Sequence, residues 1–162
     1  MVNFKWFSGM ITGISDFNTG QGDNGCYKLF SVQNRVGEMV NFVISPTTYV
    51  LDQVMLTVGD RVTGYYDGDA PVPLIYPPQY RALIMTKNNP MLNVKVDFFN
   101  NQLISSDGGL KLNLSPQTQI VLPNGQAFTN PITNRNLMVL YGPTTRSIPA
   151  QTTPYKIIVW CS

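Results

Sequence analysis

Histidine is absent from all 162 residues, glutamate occurs once, at Glu38, and cysteine only twice. Without an imidazole the chain cannot build a Ser-His-Asp or Cys-His nucleophile, a zincin site or most transition-metal centres. The sequence therefore predicts a protein that is not an enzyme and holds no cofactor. Cys26 and Cys161 lie near opposite ends of the chain, with none of the short spacings of a zinc or thioredoxin-like pair. Three readings stay open for them: buried thiols, one intramolecular disulfide, or a bond between neighbouring subunits. No apolar run approaches the roughly 20 residues that a membrane helix needs, so no membrane insertion is expected. The first residues, Met1 to Gly9, show no basic start, long apolar stretch or small-residue cleavage site. That fits synthesis without classical secretion, or a leader that lies outside this sequence.

Charge is also scarce, and polar character falls instead to 15 Asn, 9 Gln and 14 Thr, which together outnumber the 20 charged residues. Exposed helix faces lean on Glu, Lys, Ala and Arg, so this balance predicts a nearly all-β, soluble globular protein. A helical spacing of Val50, Leu51, Val54, Met55 and Val58 competes locally after Ser45-Pro46. Its counterpart further along is broken by Pro123-Asn124-Gly125, so strand and loop with at most one helical turn are expected there.

Repetition organises the chain. Ile44-Ser45-Pro46-Thr47-Thr48-Tyr49-Val50 lines up with Leu114-Ser115-Pro116-Gln117-Thr118-Gln119-Ile120. Asp60-Arg61 and the strand-like Val62 to Tyr66 line up with Asn134-Arg135 and Asn136 to Leu140. Pro77 to Met85 lines up with Pro149-Ala150-Gln151, a short insertion, and Tyr155 to Trp160. The offsets stay between 70 and 75 residues. The sequence thus predicts two β units, residues 1–87 and 92–162, joined by a polar, proline-punctuated linker at 88–91.

Strands are expected at 5–16, 27–33, 39–45, 48–51, 61–66 and 80–86, then at 93–99, 102–105, 110–114, 119–122, 137–141 and 155–161. Five or six strands per unit, with Val58-Gly59-Asp60-Arg61-Val62 entering a strand through a Gly-Asp turn, suggest two tandem small barrels or sandwiches of the oligonucleotide/oligosaccharide-binding (OB-like) type. A unit of about 75 residues has a marginal core, which favours association.

Prolines concentrate in two matching stretches, Asp67 to Tyr80 and Tyr141 to Pro154. Proline fixes φ and withholds a donor, so each stretch predicts an ordered, extended loop outside any central strand. One reading presents Leu74, Ile75, Tyr76, Pro77, Pro78, Tyr80, Ile148 and Pro149 to a neighbouring molecule. The other folds the apolar side chains back to plug their own barrel. Tyr76-Pro77 is a candidate cis peptide, with trans the default. Phe4 and Trp6, in an aromatic first strand, either close the first unit or add to another subunit's edge.

Other constellations are weaker. Asp16, Asn18, Asp23 and Asn24 could offer oxygens to calcium, but an EF-hand counted from Asp16 would place Tyr27 at its acidic twelfth position. Asp52, Asp60, Asp67 and Asp69 could include a glycosidase pair, or serve as turn residues. Tyr27, Phe30, Tyr65, Tyr66 and Tyr80 could stack on bases or fill the core. The 11 basic residues are dispersed with none adjacent, which makes nucleic acid an unlikely partner. Residues 1–87 carry six basic and seven acidic groups, and 88–162 five and two, so the units have opposite net signs, a balance that favours head-to-tail contact.

The runs Asn41 to Tyr49, Gly59 to Asp67, Ala70 to Tyr80 and Tyr141 to Pro154 resemble an uncharacterised family of tandem β-barrel proteins from spore-forming Firmicutes, chiefly Clostridia. The family has no established activity, so the resemblance lends no residue a role. It implies a bacterial source and a link to the cell or spore surface. Together these observations predict a non-enzymatic structural protein that associates with itself, into a surface assembly or filament. The alternative is an OB-like module that binds oligosaccharide or single-stranded nucleic acid.

Overall fold

β-Branched and aromatic residues at alternate positions suit a pleated, half-buried surface better than a helix. The computed structural model describes residues 1–20 and 25–161, and these are all-β apart from one 3-10 turn, Leu51–Gln53. The turn falls within the segment whose helical spacing competed with a strand. Asp52 there takes φ 60°. The chain divides into two compact units, Met1–Asn88 and Asn89–Ser162.

In the first unit, β1 (Phe4–Asp16), β2 (Lys28–Gln33), β3 (Met39–Ile44), β4 (Tyr49–Val50), β5 (Arg61–Asp67), β6 (Gln79–Arg81) and β7 (Ile84–Lys87) form one sheet in the order β4-β7-β5-β1-β2-β3-β6. The long β1 serves two partners. Phe4–Met10 pairs with β5, and Met10–Asp16 pairs with β2 across a register shift between Ile11 and Gly13. The last segment also divides its pairing. β6 runs parallel to β3 and β7 antiparallel to β5, with the change of partner at Ala82-Leu83. There the Ala82 N–H donates to Val43 O at 3.0 Å and the Leu83 N–H to Tyr65 O at 2.8 Å.

The second unit holds β8 (Asn93–Phe99), β9 (Leu110–Leu112), β10 (Gln119–Val121), β11 (Arg135–Tyr141), β12 (Ala150–Thr152) and β13 (Lys156–Trp160). A four-stranded sheet has the order β10-β13-β11-β8, and β12 pairs in parallel with β9. Among the described residues none of the sheets closes into a barrel, where the sequence suggested two small barrels or sandwiches. The closing segment of each unit is cut into short strands that pair with different partners, so no continuous ladder runs round the unit.

Two strand expectations change for physical reasons. The strand expected at 102–105 opens in a turn and keeps only isolated bridges, Ile104 to Lys111 and Ser105 to Phe99. Asn100 Oδ1 accepts the N–H groups of Gln102 and Ile104 at 2.9 and 3.0 Å, and Leu103 takes φ 58°. An Asx turn of this kind satisfies locally the donors that a ladder would have used. The second change is register. Tyr49 and Val50 pair with Ile84 and Met85, just as Gln119 and Ile120 pair with Lys156 and Ile157. Met85 then pairs with Gly64, and Ile157 with Val139. The matching blocks therefore need no insertion, and Val139, not Met138, holds the position of Gly64. In a strand that one-residue slip reverses which face each side chain takes.

The core of the first unit gathers Ile11, Phe30, Val32, Val40, Phe42, Val62 and Met85; that of the second gathers Phe99, Leu110, Leu112, Leu137, Val139, Ile157 and Val159. Gly64 makes room for the fully buried Phe42, because a Cβ at Gly64 would lie 2.6 Å from the ring's Cζ. Overpacking of this kind costs about 1–3 kcal/mol. In urea melts Gly64→Ala should lose about that much, and Phe42→Leu in the same chain should recover part of it. Strict additivity of the two losses would show that ring and glycine are not coupled.

Asp107 secures the turn before β9. Its Oδ1 accepts Ser105 Oγ at 2.6 Å and Gly109 N at 2.9 Å, and its Oδ2 pairs with Lys95. Partial burial pushes the carboxyl's pKa up, but the bonds from Lys95, Ser105 and Gly109 outweigh this and hold it at about 2. A depressed carboxylate contributes stability that is complete above its unfolded pKa of about 3.9 and lost as pH falls towards the folded value. Thermal melts between those two pH values should fall less steeply in Asp107→Asn than in the parent. Parallel curves would exclude the linkage.

Candidate functional site: two proline loops and the clefts beside them

The loop between β5 and β6 is fixed at its base. Asp67 Oδ1 accepts the N–H groups of Asn3 and Asp69 at 3.2 and 3.0 Å. Gly68 N–H donates to Asn3 O at 2.7 Å, and Asn3 Nδ2 donates to Asp69 Oδ1 at 3.2 Å. Phe4 pairs with Asp67 across the sheet, so the N-terminal segment and the loop base form one structure. The loop between β11 and β12 uses hydroxyls instead. Thr145 Oγ1 accepts Gln151 N–H at 2.9 Å and shares a 2.8 Å bond with Ser147 Oγ, which donates to Pro149 O at 2.8 Å. Thr152 Oγ1 donates to Pro143 O at 3.0 Å. Prolines offer no N–H, so side-chain donors meeting their carbonyls are what order such a segment.

From these bases the apolar tips face solvent. Leu74 is fully exposed, Tyr76 is 80% exposed and Ile148 94%. Ile75 is exposed too, so these side chains do not fold back as plugs. Pro77, Pro78, Pro149 and Tyr80 are half-buried at the loop ends. Tyr80 stacks on Tyr66 with ring centroids 3.9 Å apart and planes 7° from parallel, and both rings are tilted against Phe42. Burial, with the hydrogen bond to Tyr80, pushes the Tyr66 hydroxyl up to about 12. Both Tyr76-Pro77 and Ile148-Pro149 are cis. The sequence singled out only the first of them as a candidate, with trans as its default. Trp6 is exposed on β1, two residues from Phe4, in a strand paired with its own unit.

Beside each loop lies a cleft that the sequence did not announce. The first, of about 380 Å³, is lined by Phe17, Tyr27, Pro71, Pro73, Gln79 and Arg81. The second, of about 390 Å³, is lined by Gly142, Pro143, Thr145, Gln151, Thr152 and Tyr155. Each takes the opening residues of its proline loop and the glutamine of the strand that follows. The Pro-x-Gln spacing shared by Pro77 to Gln79 and Pro149 to Gln151 is the signal that could have found them. A side chain at Gly142 would collide with the Tyr155 hydroxyl, so glycine there lets the tyrosine cross the mouth of β11.

The remaining candidates take structural roles. Asp67 and Asp69 hold Asn3, and Asp60 accepts Thr57 N–H at 2.9 Å and faces Lys87 at 3.6 Å. The Thr57 bond chiefly keeps the Asp60 carboxyl below the usual range. Asp16 pairs with Lys28 and Asn18 Oδ1 accepts Gly20 N–H at 2.8 Å, while Asp23 and Asn24 lie outside the described residues. Among the described residues no three His, Cys, Asp or Glu groups come together as a metal set. Phe30 and Tyr65 are buried. Cys26 and Cys161 are both exposed and no disulfide joins them, which corrects the expectation of buried thiols. No described helix is long and apolar enough to cross a membrane. Comparison with protein-family models, curated proteins and solved structures finds no match.

Proposed function

We propose that this chain is a non-enzymatic structural protein that associates with itself through its proline loops, each carried on one OB-like copy of a duplicated β unit. The observation that carries the reading is the full exposure of Leu74, with Tyr76 and Ile148, on loops tied down at their bases. A loop already ordered loses little further entropy on docking, and large apolar side chains exposed at its tip mark each loop as an interaction surface. Opposite net charges of the two units favour a head-to-tail arrangement, which repeats into a filament unless it closes into a ring.

Duplication is supported by hydrogen bonds that recur side chain by side chain. Thr48 Oγ1 accepts Ser45 N–H at 3.0 Å and donates to Ala82 O at 2.9 Å; Thr118 Oγ1 accepts Ser115 N–H at 3.4 Å and donates to Pro154 O at 2.8 Å. The OB-like assignment is supported by the β1-β2-β3 meander, whose first strand also pairs with β5, and by a closing segment that reaches β3 through β6 and β5 through β7. A place on a bacterial cell or spore surface rests on the resemblance to the Firmicutes family.

The second reading, an oligosaccharide-binding module, is favoured by the amide, hydroxyl and aromatic lining of the two clefts. Of the cleft residues named above only Arg81 is basic, which argues for sugar over a nucleic-acid backbone.

Light scattering coupled to size exclusion, with negative-stain images, tests the leading reading. The parent chain should run above monomer mass or form filaments. The combined Leu74→Ser, Tyr76→Ser and Ile148→Ser variant should run as a monomer with an unchanged circular dichroism spectrum. A parent that stays a monodisperse monomer at high concentration contradicts self-association, and saturable binding on a glycan array would then support the second reading.

A further inference from the structure

A third cleft, in the first unit and of about 380 Å³, is lined by Ser8, Gly9, Asn34, Arg35, Arg61 and Asn88 together with Val36. Arg35 stands on the turn between β2 and β3, Arg61 opens β5, and Asn88 follows β7. Among the described residues neither guanidinium has a carboxylate or a hydrogen-bond acceptor as partner. Lys28, Lys87 and Lys95 each face an aspartate, and Arg135 donates to Pro131 O at 3.0 Å over the ring of Phe128.

Among the described residues that line this cleft none is acidic, and the acids nearest in sequence have partners of their own. Glu38 accepts Asn34 Nδ2 at 2.9 Å, and Asp60 serves Thr57 and Lys87. Asn34 Oδ1 is itself taken by the N–H groups of Val36 and Glu38. In the remaining polar wall Asn88 turns donors towards the cleft, whereas Ser8 gives its single proton to Thr63. Thr63 Oγ1 donates its single proton to Asn88 Oδ1 at 2.9 Å, so Ser8 Oγ, 2.6 Å away, must be the donor to Thr63. With its oxygen so occupied, Asn88 keeps both amide protons available. Two guanidinium forks and an amide, with no carboxylate among them, match the several acceptor oxygens of an oxyanion.

We propose that the Arg35–Arg61 cleft binds a small ligand through its phosphate or carboxylate group. This does not depend on the proline loops or on self-association.

Equilibrium dialysis of the full chain against radiolabelled orthophosphate, and separately against radiolabelled citrate, at fixed ionic strength, tests it in any oligomeric state. The expected result is saturable binding of one anion per chain, weakened about tenfold or more when Arg35→Gln and Arg61→Gln are combined. Preference for orthophosphate identifies a phosphorylated ligand, and preference for citrate a carboxylate. The Lys111→Gln and Lys156→Gln pair, outside all three clefts and both proline loops, changes net charge equally and should bind like the parent. Non-saturable uptake of both anions, or equal loss in the two double variants, would overturn the site in favour of diffuse charge attraction.

Discussion

Each unit turns on one hydroxyl. Where the closing segment leaves β3 for β5, the Ala82 carbonyl lies between two ladders, and the Thr48 hydroxyl donates to it at 2.9 Å. Ala82 is 2% exposed, so water cannot readily replace that donor, and an unmet buried carbonyl costs about 1–3 kcal/mol. The same threonine accepts the Ser45 N–H, which sets the short β4 beside β7. Thr118 does this for Pro154 in the second unit. Once the crossing is fixed, the proline loop that precedes it is held at both ends, by the crossing and by the bonds at its base.

On that shared frame the two units differ in what they put behind the loop. The first uses aromatic bulk: Phe42 fits over Gly64, and Tyr66 and Tyr80 stack beside it. In the second, Val139 stands where Gly64 stood and Thr152 follows the loop, so aliphatic packing and a hydroxyl network replace the rings. Part of the backbone pairing recurs, since β4-β7 and β10-β13 are both parallel and β5-β7 and β11-β13 both antiparallel.

Much of the strand plan was legible. Alternation in β1, the Asn34 to Gly37 hairpin, the strands at 61–67 and 93–99, and both proline loops follow from local chemistry. Where sequence reasoning failed, the physics was non-local or without phase. Leu137 to Leu140 is an unbroken apolar run buried throughout, so nothing in it distinguishes one register from the next, and the alignment slipped by a residue. The strand expected at 102–105 loses the donors of Gln102, Leu103 and Ile104 to one asparagine and keeps only isolated bridges. The short β6 and β12 follow prolines and carry too few residues to show a period. For the candidate site, the loops were found, but the outward direction of Leu74 and Ile148 depends on their side-chain-bonded bases. The first of the clefts beside them joins residues far apart in sequence, Phe17 and Tyr27 with Pro71 and Arg81.

Hydrogen exchange of Thr48→Val reads the central claim most directly. Removing the hydroxyl while keeping the side chain's shape should speed exchange about tenfold at Tyr49, Ala82 and Leu83, whose N–H groups donate to Leu83, Val43 and Tyr65. Ile11, whose N–H donates to Asp60, should keep its protection. Uniform acceleration across the first unit, or none at the crossing, would contradict the claim that this hydroxyl holds the closing segment and, through it, the loop.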